Sequence, residues 1–98
     1  MLIYSVTSQT GADTGAWFHI DKTAEFGIRQ ISITLSGTSA TIEIYGRIGD
    51  GDDEQLIWTG TASEGISAVV FPQMRVKLSA ATAANVDVAL DGRGRDLT

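Results

Sequence analysis

The residues best suited to chemistry lie in "GDGDDEQ", Gly49 to Gln55, where four acids fall within seven residues between two apolar runs. Asp50, Asp52 and Glu54 repeat the first three alternating ligand positions of a helix-flanked calcium loop. The match then stops: the place of the obligatory glycine holds Gln55, and the place of the closing glutamate holds Thr61. Calcium asks for six to eight oxygens. A Gly- and Asp-rich turn of the parallel β-helix kind needs stacked repeats, and only one copy is present. The stretch therefore reads as a solvated turn, with a weak, partly water-filled calcium site as the alternative.

Other chemistry is sparse. His19 is the only histidine, and no serine stands in a glycine-flanked nucleophile elbow. Glycosidase chemistry needs two carboxylates across a cleft, for which a chain of 98 residues has little room. No enzyme is expected, and no cofactor. There is no cysteine, hence no disulfide framework and no thiolate metal site. The formal charge of −5 works against a phosphate backbone as ligand, so nucleic acid is not an expected partner. No basic-then-apolar start and no apolar run near 18 residues occurs, which predicts neither a leader nor a membrane span.

The elements that would position these residues follow from hydrophobic period. Apolar residues alternate along the chain and nowhere recur at three and four over a helix's length, so the expectation is all-β. In "IRQISITLS", Ile31, Ile33 and Leu35 share a face; in "TIEIYGRI", Ile42, Ile44 and Ile48 do. Treating "SGTSA" as a hairpin turn sets Leu35 opposite Ile42 and Ile33 opposite Ile44. Folding "QMRVKLS" onto "NVDVALD" about "AATAA" aligns Met74 with Leu90, Val76 with Val88 and Leu78 with Val86, and places Lys77 beside Asp87 on the wet face. A third hairpin through the acidic loop pairs Ile48 with Leu56 and sets Trp58 over Gly46. With "LIYSVT", "AWFHI", "QLIWTG" and "ISAVVF", the last stopped by Pro72, about eight short strands result. Their spacing predicts an antiparallel β-sandwich, jelly-roll or Ig-like, over residues 1–91, followed by a tail over 92–98.

Two features point to a partner. In "AWFHI", Ala16, Phe18 and Ile20 form one face and Trp17 and His19 the other, so the indole either is covered by a second sheet or loop or projects onto another molecule. In the tail, Arg93 and Arg95 are flanked by glycines in an otherwise acidic chain and are suited to reach carboxylates of a neighbour.

The run "ATIEIYGRIGDGDDEQLIWTG", a short apolar strand, and then "FPQMRVKLSAATAANVDVAL" resembles small β-sandwich proteins of bacteriophage virions, the head decoration or auxiliary kind, over residues 40–90. The resemblance implies a non-enzymatic part of a particle assembled in a host cytoplasm. It would act as a homo-oligomer, a trimer by analogy with shell decorations, and bind the major capsid or another virion protein. No catalytic residue comes with it. The alternative is a carbohydrate-binding or adhesive module in which Trp17, Tyr45 or Trp58 stacks on a sugar ring.

Overall fold

A computed structural model describes residues 2–20 and 27–90. These form seven strands: β1 (Leu2–Gln9), β2 (Asp13–Thr14), β3 (Phe18–His19), β4 (Gly27–Arg47), β5 (Gln55–Gly60), β6 (Glu64–Val70) and β7 (Gln73–Leu90). All pair antiparallel in one open sheet. The all-β expectation holds, with seven strands in place of about eight.

Two of the expected hairpins do not exist. "SGTSA" lies inside β4, a single strand of 21 residues, and "AATAA" lies inside β7, a single strand of 18. The two long strands pair with each other from Ile31↔Leu90 to Arg47↔Gln73. Val76 is therefore opposite Ile44, not Val88, and Val88 is opposite Ile33. Lys77 faces Glu43, while Asp87 faces Thr34 and accepts a 2.6 Å hydrogen bond from the Ser5 hydroxyl. On the other side of β7 run β1, β2 and β3 in succession, from Leu2↔Ala89 to His19↔Gln73. "AWFHI" contributes only the two residues of β3. On the other side of β4, β6 pairs with residues 27–33 and β5 with residues 42–46.

A straight strand as long as β4 would span about 70 Å, yet the molecule's longest dimension is 37 Å. The long strands must bend, and the backbone shows where. Ser8, Gly11, Gly37 and Ala83 have φ of 53°, 91°, 90° and 44°. They lie on three neighbouring courses of the sheet, with Ala84 paired to both Gly37 and Gln9. At Gly37 the conformation and the space both demand glycine, since a Cβ would stand 2.2 Å from the carbonyl oxygen of Ala83. Next to it, the amide of Ala83 donates to the Thr10 hydroxyl at 3.1 Å. On the fourth course the chain breaks between β5 and β6, where the Ser63 hydroxyl accepts from the Leu35 amide at 2.8 Å and takes the place of a ladder partner.

The bend also exchanges faces. In the first half of β4 the odd residues Arg29, Ile31 and Ile33 are buried; in the second half the even residues Ala40, Ile42 and Ile44 are. A register shift between Thr41 and Ile42 accompanies the change. The apolar ones among them join Met74, Val76, Leu78, Val86, Val88 and Leu90 of β7, together with Tyr4 and Val70, in one hydrophobic cluster. Ile48 and Leu56, expected inward, are 71% and 54% exposed. The hairpin between β4 and β5 does form, but out of the expected register, by two residues at Ile44↔Trp58 and, past a register shift, by three at Tyr45↔Leu56. The ring against the Gly46 backbone belongs to Phe71, and Trp58 covers Gly60 instead.

Candidate functional site

On the outer face of the half sheet built from β3, β5 and the paired ends of β4 and β7, alternation turns Glu43, Tyr45 and Arg47 of β4 and Arg75 and Lys77 of β7 away from the core. Trp17 enters this face because its neighbour Phe18 pairs with Met74 and packs on the core. The guanidinium carbons of Arg47 and Arg75 lie 4.1 and 4.3 Å from the centre of the Trp17 ring, within cation–π range. The expectation that Trp17 points away from the core is met, but the indole is half-buried under its own chain's arginines, so its partner is partly internal. His19 lies exposed at the end of the same segment, paired with Gln73.

The acidic loop closes onto this cluster. Its seven residues between Arg47 and Gln55 turn through a 3.1 Å bond from the Asp52 amide to the Gly49 carbonyl, with Gly51 at φ 83°. Arg47 Nε donates to Gln73 Oε1 at 2.6 Å, and Gln73 Nε2 donates to Asp50 Oδ1 at 2.9 Å. Arg47 also reaches the same carboxylate at 3.4 Å. Glu54 pairs with Lys77 at 3.1 Å and Arg75 at 3.7 Å. Lys77 lies 4.6 Å over the Tyr45 ring, and the Tyr45 hydroxyl donates to Glu43 at 2.8 Å. That bond, more than burial, raises the phenol above its ordinary value.

The three calcium candidates are thus not brought together. Asp50 turns to Arg47 and Gln73, Glu54 turns to Arg75 and Lys77, and Asp52 is exposed. Among the described residues no three His, Asp or Glu side chains converge as metal ligands would. The stacking rings of the carbohydrate alternative are also engaged: Trp17 by two guanidiniums, Tyr45 by an ammonium, and Trp58 against Gly60. Arg93, Arg95 and the tail over 92–98 lie outside the described residues.

Sequence reasoning named Trp17 and the loop acids, put Lys77 on the wet face but beside the wrong acid, and missed Arg47, Arg75 and Gln73. One signal was available: these residues take the outward places of β4 and β7 once the core-facing residues are assigned. That they meet Trp17 depends on β4 and β7 pairing continuously through to Arg47↔Gln73, which alternation does not encode. An open depression of about 360 Å³, lined by Gln30, Ile31, Ser32, Gly65, Ala89 and Leu90, has no titratable side chain in its wall. No family model matches the chain, and no curated protein or solved structure matches it.

Proposed function

We propose that the chain is a non-enzymatic structural component of a bacteriophage particle, a decoration or minor head protein that self-associates and whose Trp17 face binds the shell. The observation that carries this reading is the make-up and rigidity of that face. Trp17, Tyr45, Arg47 and Arg75 are the residue types that dominate interface energetics, and ion pairs and ring contacts already hold them. Side chains ordered beforehand lose little entropy when a partner docks. Beside them Ile48 is 71% exposed and Leu56 54% exposed at the same hairpin end, apolar surface whose burial favours association by about 25 cal/mol per Å². Binding to the assembled shell alone then stabilises it by mass action, without chemistry.

The same reading takes the two halves of the bent sheet as two facing layers of a sandwich. Full burial of Ile31, Ile42 and Val86 needs cover on the inner face, and two layers about 10 Å apart suit a shortest dimension of 17 Å.

The test is sedimentation of intact particles from the cells that produce this chain. Stoichiometric copurification is expected, lost in Leu56→Asp and Ile48→Asp with unchanged circular dichroism. These residues serve better than Trp17, whose removal would also strip the support from two arginines. A chain that stays at the top of the gradient sinks the reading.

A further inference from the structure

An open sheet has edges, and the edges of this one are not alike. β1 pairs with β7 through register shifts between Leu2 and Tyr4 and between Val6 and Gln9, and carries Ser8 at positive φ. β5 pairs with β4 through a shift between Ile44 and Tyr45. Such irregularities twist an edge away from a second strand. β6 has none: seven consecutive pairs run from Gly27↔Val70 to Ile33↔Glu64 without a shift. Among the described residues β6 pairs with β4 alone. It contains no lysine and no proline, its one charge is Glu64 at its end, and Val69 is 55% exposed.

We infer that β6 is the self-association edge of this protein, pairing antiparallel with β6 of a second copy about a two-fold axis at Ser67. The occupant is a second copy because the strand is complementary to itself. Antiparallel partners point to the same face of a sheet, so only pairings that match inward residues with inward ones are possible. The axis at Ser67 is the one that engages all seven residues. It sets Ser67 opposite Ser67, Ile66 opposite Ala68, Val69 over the bare backbone of Gly65, and Glu64 opposite Val70. The two glutamates then lie at opposite ends of the ladder, about 20 Å apart, and no like charges meet. The contact is isologous and closes at two copies, unlike the trimer that analogy suggested. It rests on the self-association part of the proposed function and supplies its surface.

The absence of cysteine makes the test clean. In Ser67→Cys the only thiols would face each other across the axis, within reach of a disulfide. In Val69→Cys each thiol would face Gly65 and lie several residues from its copy. At about 10 μM under mild oxidation, Ser67→Cys should become mostly disulfide-linked dimer and Val69→Cys should not. Ser67→Lys sets two ammoniums directly opposite and should halve the wild-type mass in light scattering, with circular dichroism unchanged. Equal crosslinking of both cysteine variants overturns the proposal, as does a Ser67→Lys variant that keeps the wild-type mass. In the latter case self-association stands but uses another surface. A wild-type monomer at about 100 μM overturns both, leaving particle binding through Leu56 to its own test. If that monomer loses particle binding in Ser67→Lys, the edge belongs to a strand of another protein.

Discussion

At the scale of single residues, the bend is the most demanding feature. Gly37→Ala forces a side chain into the left-handed region and against the Ala83 carbonyl. Strain and clash together should cost about 2 to 4 kcal/mol, a melting point lower by more than about 8 °C. Ala83→Gly should behave oppositely. A strand alanine changed to glycine ordinarily costs about 0.5 to 1 kcal/mol, but at φ 44° the relief of about 1 to 2 kcal/mol offsets it. The variant should be at least as stable as wild type, and a clear loss in thermal melts would place the bend elsewhere. Tyr4 carries a pH dependence. Burial first, then its 2.7 Å hydrogen bond to Asp13, raises its phenol well above the ordinary value. Above pH 10 the unfolded chain releases that proton and the folded one keeps it, so the unfolded state binds fewer protons and stability falls with pH. The contribution is complete below pH 10 and fades above it, by at most about 1.4 kcal/mol per pH unit. Urea unfolding between pH 8 and 11.5 should show this decline in wild type and a shallower one in Tyr4→Phe. Equal slopes would mean that the Tyr4 proton is not held.

At the scale of elements, the question is which strand neighbours which. Thr34 and Asp87 are partners on the exposed face of β4 and β7, so Thr34→Cys with Asp87→Cys should form an intramolecular disulfide, seen as faster migration without reductant. Lys77→Cys with Asp87→Cys, the pair that a C-terminal hairpin would bring together, should stay reduced. The reverse result would restore the hairpin and remove the continuous β7. The hairpin between β4 and β5 yields a second expectation. Two of its four acids, Asp50 and Glu54, are held by Arg47, Gln73, Arg75 and Lys77, so calcium would have to displace ion pairs to gather them with Asp52. Millimolar calcium should move the melting point by less than about one degree. A rise of several degrees that disappears in Asp52→Asn would establish the loop as a metal site.

At the scale of the molecule, the contacts that close the fold come from the end of the described chain. β7 is hydrogen-bonded on both sides, and among the described residues its stretch 84–90 ties β1 to the first half of β4. The radius of gyration is 13.1 Å, against about 12.6 Å for a compact domain of this length, and a chain without residues 84–90 would lose the ladders on both sides of that half of β7. A chain ending at Ala83 should therefore lack β-type circular dichroism and melt without cooperativity. A sharp transition in that truncation would show that the second half of the sheet is a folding unit in itself.

Alternation alone was enough to tell which side of β4 and β7 faces the core, because it belongs to a single strand and needs no partner; it failed at the β4–β5 hairpin, where Ile48 and Leu56 are exposed. Ile31, Ile33, Ile42, Ile44, Val76, Leu78, Val86 and Val88 are buried as their spacing requires, and the limits of β5 fall where "QLIWTG" begins and ends. The tertiary structure alone decided the neighbours. A hairpin and a bend both preserve alternation on either side of a run of small residues, and "SGTSA" and "AATAA" suit both. Pairing β4 with β7 from Ile31 to Arg47 satisfies a ladder on both halves at once, whereas two separate hairpins would leave more edges bare. The same long-range pairing brought Arg47 and Arg75 onto Trp17. That contact joins residues 17, 47 and 75 through three courses of one sheet, and such a meeting has no local signature.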